Sequence, residues 1–333
     1  MKKLFAMIMT AVLAFGAVGC GGSEPAADDG LEDVTVVLDW YPNALHSFLY
    51  VAQEKGYFVE EGLNLVVNFP ANTNDGISLP AAGKADIGMY YLQDAILTAV
   101  EEDVPIVSVG SVTQESLNVV ISLKESGIET AADLAGKKIG YAGTALSEAQ
   151  IECMLEKAGV SAEDCELIDV GFDLLTATTT GQVDATIGNM VNHEVPQLEE
   201  QGIEINYFFP TDFGVPEYYE LVFLAGQDEV ENNPEKIQKF LRAAQKGFDF
   251  MQENPEEALQ ILLDNQNAEN FPLSETVETA SMNMLLPVME TADAPFMSQD
   301  VAVWQQNADW LYEMGLLSEQ ADVSFMVVDL LAE

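Results

Sequence analysis

From Val34 onward the chain alternates short β-branched runs with stretches of helical spacing, and this alternation constrains the fold more than any single residue does. Val34, Val36 and Leu38 alternate with Thr35 and Val37, which suits a largely buried strand. Asp39-Trp40-Tyr41-Pro42-Asn43 then interrupts it, because Pro42 has no N–H for a ladder and Asn43 turns or caps the chain. Phe48, Val51 and Ala52 follow at helical spacing, and Gly56 is a natural stop. The cycle recurs with strands over 63–69, 86–90 and 105–112, a short helix over 77–82, and another through Ala95-Ile96-Leu97. Repeated strand–helix–strand units predict an α/β domain built on a mostly parallel sheet.

At Asn118-Val-Val-Ile-Ser122 the chain crosses into a second unit of the same kind. Its expected elements are a short helix over 130–134, a strand over 138–141, a helix over 146–158, and strands over 165–170, 185–188 and 205–209. Glu220-Leu-Val-Phe-Leu224 leads back, and from Pro234 to Met314 the pattern is helical. The expectation is two lobes, one discontinuous (33–115 plus 219–333) and one continuous (116–218), with a cleft between them. A faint repeat supports it: Gly83-Lys-Ala-Asp86-Ile-Gly88 echoes Gly181-Gln-Val-Asp184-Ala-Thr-Ile-Gly188.

Residues 1–19 read as a leader: Lys2 and Lys3, then an apolar run from Leu4 to Val18 that is too short for a stable span. Ala17-Val18-Gly19-Cys20 resembles a bacterial lipobox, which implies cleavage before Cys20 and lipid attachment to its sulfur. Residues 20–32 are small, polar and acidic, as suits a tether. The expected location is therefore the extracytoplasmic face of a bacterial membrane, held there by the lipid alone.

Lys+Arg 12 against Asp+Glu 56 gives a net charge of −44, and loss of Lys2 and Lys3 makes it −46. Such a field repels nucleic acid and anionic headgroups. Cys153 and Cys165 lie twelve residues apart, so either a bridge or two small buried thiols fits the sequence. His46 and His193 are the two histidines, and CxxC, HExxH and GxSxG do not occur. Neither a metal nor a cofactor is expected.

The leader, the two lobes and the discontinuous first lobe together resemble the substrate-binding proteins of bacterial ABC importers, with the two-lobe periplasmic-binding-protein fold (type II). Asp39-Trp-Tyr-Pro-Asn43 with His46, Ala52-Gln-Glu-Lys-Gly-Tyr-Phe58, Ala81-Ala-Gly-Lys-Ala-Asp86, Leu134-Ala-Gly-Lys-Lys-Ile-Gly140 and Gly214-Val-Pro-Glu-Tyr-Tyr-Glu-Leu-Val222 narrow the resemblance. They look like the group that binds thiamine-precursor pyrimidines, which is related to the fungal hydroxymethylpyrimidine phosphate synthases. The resemblance implies a monomer that delivers formylaminopyrimidine or hydroxymethylpyrimidine to a permease and its ATPase. Riboflavin or a sulfonate- or nitrate-type solute is the alternative cargo, and sensing without transport an alternative role. A pyrimidine-acting enzyme is the alternative of another class. The synthases use a lysine where Tyr90 stands, a histidine where Asp94 stands, and a cysteine-rich iron segment where Gly214 to Tyr219 stands. Without an amine there is no Schiff base to pyridoxal phosphate, and without thiolates no such iron site.

A flat heteroaromatic ligand needs a stacking surface and an edge of donors and acceptors. Trp40 can stack, its position in a loop after a strand favouring ligand over core, with Asp39, Asn43 and His46 beside it. Of Tyr90 and Tyr91 one should face the cleft and one the core; Tyr90 is the expected ligand residue. In the second lobe Gly143-Thr144-Ala145 opens a helix whose free amides suit an oxygen or anion, although Glu148 there equally balances the helix dipole. Asn189 should end a strand, with Asn192 and Glu194 after it; a carboxylate can accept from an amino-pyrimidine edge, or Glu194 can sit on an exposed helix face. Tyr218, Tyr219 and Glu220 should form the cleft floor near the return crossing.

Overall fold

The computed structural model describes residues 30–331, apart from Thr73, Phe172 and Asn270; the leader and Cys20 lie outside the described residues. Ten strands form two five-stranded sheets. They are β1 (Glu32–Val37), β2 (Leu63–Asn68), β3 (Ile87–Tyr91), β4 (Ile106–Ser111), β5 (Asn118–Leu123), β6 (Lys138–Tyr141), β7 (Glu166–Asp169), β8 (Ala185–Met190), β9 (Ile205–Phe208) and β10 (Leu221–Gly226). The first sheet has the order β2-β1-β3-β10-β4 and the second β7-β6-β8-β5-β9.

Each sheet is mixed. Four strands run one way, while β10 in the first sheet and β5 in the second are antiparallel to both neighbours. These two are the strands by which the chain enters each sheet from the other. A strand that starts at the crossing must run away from it, opposite to strands that end there. The β4 edge is covered by bridges from Ser108 to Val327 and from Ser111 to Met297, so it offers no free ladder.

The sequence repeat has a structural meaning. Gly83 and Gly181, both at positive φ, end the helices Asp75–Ala81 and Leu174–Thr179. Three residues on, Asp86 Oδ2 accepts from the Thr35 N–H at 2.7 Å, and Asp184 Oδ2 accepts from the Lys138 N–H at 2.8 Å. Each aspartate thereby pins the start of its strand to the neighbouring one, β3 to β1 and β8 to β6. The acid is needed because those N–H groups lie at the beginning of the ladder, where backbone partners run out.

The helical C-terminal half wraps the first sheet. Ser47–Glu54 packs on Pro234–Glu253 with backbones so close that a Cβ on Gly247 would fall 2.2 Å from the Phe48 carbonyl oxygen. Phe48, Phe223, Phe240, Phe248 and Phe296 fill that core with edge and stacked ring contacts. Pro255–Asp264, Glu275–Met289 and Val301–Glu313 complete the shell. Cys153 and Cys165 are both free, and the Cys165 thiol donates to the Leu134 carbonyl at 3.2 Å. Among the described residues no helix is long and apolar enough to cross a membrane.

Candidate functional site

A cavity of about 240 Å³ opens between the two sheets. The carboxyl ends of β1, β3, β6 and β8 reach it with Asp39 and Trp40, Tyr91, Ala142, and Gly188 and Met190. The amino ends of β5 and β10 reach it with Leu117, Glu220 and Leu221. Ligands gather at this edge in open α/β sheets, and here the two reversed strands add their own starts to it.

The aromatic loop is held rigidly. Asn43 Oδ1 accepts from the Leu45 N–H at 3.0 Å and opens the turn Ala44–His46. The Asn43 N–H donates to His46 Nδ1 at 3.2 Å, so the ring proton sits on Nε2, which faces Asp39 Oδ1 at 2.8 Å. His46 is fully buried, and both its nitrogens are used inside the loop. It therefore orients Asp39. Trp40 is 45% exposed and meets the Tyr41 ring edge to face at 5.4 Å between ring centres, while Tyr41 stacks on Phe271 at 3.5 Å.

On the opposite wall, Glu194 starts the helix Glu194–Glu200. Its Oε2 accepts from the Met190 N–H at 2.7 Å, and its Oε1 meets His193 Nδ1 at 2.9 Å. Burial pulls the His193 pKa down, but the bond to Glu194 and the charges of Glu194 and Glu278 outweigh it and leave it raised. At the floor Glu220 Oε2 accepts from the N–H groups of Leu117 and Asn118 at 2.7 and 3.0 Å. Burial pushes this carboxyl up to about 7 despite those bonds. Three carboxylates and two imidazoles thus face the cavity, and none of its lining residues is a lysine or arginine. Among the described residues no acid, histidine and cysteine cluster could hold a metal ion.

Seven of the residues singled out from the sequence line this cavity: Asp39, Trp40, Asn43, His46, Asn192, Glu194 and Glu220. Seven do not. Tyr91, not Tyr90, lies in the cavity, because β3 pairs Tyr91 with Leu221 at the cleft end and turns Tyr90 to the other face. There Tyr90 joins Ile77, Ser78 and Asp94 in a separate groove. Asn189 is fully buried and donates to the Thr186 carbonyl and hydroxyl, both at 3.1 Å. The register of β5 on β8 slips past Gly188, whose φ of 103° marks a bulge that redirects the next side chain.

Gly143, Thr144 and Ala145 are exposed beyond the cavity, with Ala142 in their place. The Thr144 hydroxyl already accepts from the Ser147 N–H at 3.1 Å, Glu148 takes the Tyr141 hydroxyl, and the Asp169 carboxylate sits against Gly143. An acid next to a capped helix start leaves no room for an anion. Tyr218 and Tyr219 are buried under the floor, where the Tyr219 hydroxyl accepts from the Asp300 N–H at 2.8 Å. Tyr91, His193 and Leu174 are lining residues that sequence reasoning missed. His193 carried one signal, its adjacency to Glu194.

Residues 43–258 match the family described as NMT1/THI5 like. The chain is 44% identical to the formylaminopyrimidine-binding protein of Halalkalibacterium halodurans over 93% of each chain. It is 31% identical to the 4-amino-5-hydroxymethyl-2-methylpyrimidine phosphate synthase THI5 of Saccharomyces cerevisiae over 73% of this chain and 74% of the yeast protein. In fold it is similar to the periplasmic aliphatic sulphonate binding protein SsuA of Escherichia coli. That match has a TM-score of 0.68 and 19% identity, and covers 90% of this chain and 92% of the other.

Proposed function

The chain belongs to the NMT1/THI5 like family, and we propose that it captures a formylaminopyrimidine-type solute outside the cell for an ABC importer. The observation that carries this reading is the lining of the cavity: flat faces from Trp40 and Tyr91, acceptors from Asp39, Glu194 and Glu220, and neither lysine nor arginine. An aminopyrimidine offers a ring to stack and an amino edge that donates to carboxylates. A sulfonate or nitrate would face three carboxylates with no lysine or arginine to pair it. The volume, near 240 Å³, lies just below the usual range of ligand pockets (roughly 300–1,000 Å³), which fits one ring with short substituents better than a flavin.

Capture proceeds by closure. The ligand gives up water against the carboxylates, the lobes close on it, and closure is favoured only by the difference in affinity between the two states. We take residues 33–115 with 219–333 as one moving lobe and 116–218 as the other. A permease with its ATPase would read the closed surface, and lipid on Cys20 would hold the chain nearby. The synthase reading lacks its chemistry here, since Tyr90 and Asp94 lie in a different groove from the cavity.

A thermal-shift panel of formylaminopyrimidine, hydroxymethylpyrimidine, thiamine, riboflavin, taurine and nitrate tests the reading. Ligand at 100 times its dissociation constant adds about 2.7 kcal/mol. A shift with the aminopyrimidines is expected; a shift with taurine or nitrate alone would overturn the assignment of cargo.

A further inference from the structure

Neither Glu278 nor Ser281 lines the cavity, yet each is 1% exposed and each holds one half of it. Both lie on the helix Glu275–Met289, one turn apart. Glu278 Oε2 accepts from the Ala44 N–H at 2.7 Å, directly after the Trp40–Asn43 loop of the first lobe. The Ser281 hydroxyl accepts from Asn192 Nδ2 at 3.1 Å, and Asn192 belongs to the wall contributed by the second lobe. The Asn192 amide oxygen is buried with no protein partner. Beside it, His193 faces Glu194 and Gln197 on its own side. At the rim the Ser274 hydroxyl donates to Glu200 at 2.5 Å, across the same seam.

We propose that Glu278 and Ser281 are positioning residues that tie the ligand groups of the two lobes to one helix, and that the Ser281–Asn192 bond holds the closed state. The proposal rests on the carrier reading above. In it, Glu278 fixes the aromatic loop whether or not the lobes are closed, because both belong to the first lobe. Ser281 acts only after closure brings Asn192 across. A ligand that aligns Asn192 therefore aligns it for Ser281, and that bond slows the ligand's escape.

The test uses the lipid-free mature chain and hydroxymethylpyrimidine, followed by stopped-flow fluorescence. Ser281→Ala loses one buried neutral hydrogen bond, so dissociation should be about fivefold faster with association nearly unchanged. A double-mutant cycle of Ser281→Ala and Asn192→Ala should show coupling in the dissociation rate, because either change alone removes the same bond. Unchanged dissociation together with zero coupling would reduce the helix to scaffold and overturn the proposal. Amide hydrogen exchange in the ligand-free chain separates this failure from that of the cargo assignment. Glu278→Ala should speed exchange at Ala44 whatever the cargo is, and unchanged exchange there would refute the positioning role even if pyrimidines bind.

Discussion

Glu220 gives the sharpest check on the electrostatics of the cavity. It is 3% exposed, and burial lifts its carboxyl from 4.5 to about 7. The N–H groups of Leu117 and Asn118 and the Tyr218 hydroxyl pull it down, and Asp94 pushes it further up. The folded state therefore binds this proton more tightly than the unfolded state does. Its stability contribution is fully present below about 4.5 and is lost as pH rises towards about 7. At about 1.4 kcal/mol for each factor of ten in proton affinity, the ionised carboxylate costs about 3 kcal/mol at pH 8. Glu220→Gln keeps the shape and an oxygen for both N–H groups but removes the charge. The variant should match wild type to within about 1 kcal/mol near pH 5 and exceed its stability by up to about 3 kcal/mol near pH 8. Urea unfolding at both pH values reads the difference, since the acids other than Asp94, which is coupled to Glu220, titrate alike in both chains and cancel. A difference independent of pH, or a variant less stable at pH 8, would refute the reasoning. The same substitution should weaken an amine-bearing ligand, which would identify Glu220 as a group retained for binding at the expense of stability.

Trp40→Ala should cost roughly tenfold or more in aminopyrimidine affinity by calorimetry. Because Trp40 is 45% exposed, its unfolding midpoint should hardly move, and unchanged affinity would make the indole a surface residue only. Tyr91→Leu should weaken the same ligand clearly more than Tyr90→Leu, and the reverse order would mean that the register at the end of β3 is misassigned. Glu194→Gln should weaken an aminopyrimidine roughly tenfold or more while sparing a stacked ring that lacks the amine; equal losses would move Glu194 out of the recognition edge. Raising sodium chloride towards 1 M should raise the melting temperature by several degrees, because screening relieves the repulsion within a chain of net charge −44. A fall would mean that pairs such as Arg242–Glu61 and Lys246–Glu60 outweigh that repulsion.

The alternation of elements and the aromatic loop were legible because both are local. Pro42 breaks a strand and Asn43 caps a turn wherever the chain goes next, so the loop bearing Asp39 and Trp40 stood out. Tyr90 against Tyr91 was not legible, since adjacent residues of one type differ only in phase, and the phase is set by pairing with Leu221, more than a hundred residues away. Asn189 failed for a similar reason. Simple strand counting puts it at the cleft, but a bulge at Gly188 consumes one residue of register. Gly143 to Ala145 failed because a free helix start was assumed, whereas Thr144 and Asp169 had already answered it. Glu278 left no trace in the sequence: an acid in the first turn of a helix becomes special only when Ala44 is brought to it.

The sign of the charge joins these features into one argument about cargo. The bases that form ion pairs lie mostly on the outer face of the first lobe, where Lys236, Lys239, Arg242 and Lys246 share the helix Pro234–Glu253. The cleft receives none of them. A phosphorylated pyrimidine would therefore meet a repulsive field at long range and three carboxylates at contact, and each repulsive contact in a dry site costs more than it would in water. A protonated amine meets the same field as an attraction, and a neutral amine donates hydrogen bonds to the carboxylates without repulsion. Under the proposed function the cavity selects twice, by the shape of a single ring and by the absence of a phosphate, and the second selection needs no dedicated contact. It follows from leaving lysine and arginine out of the cleft.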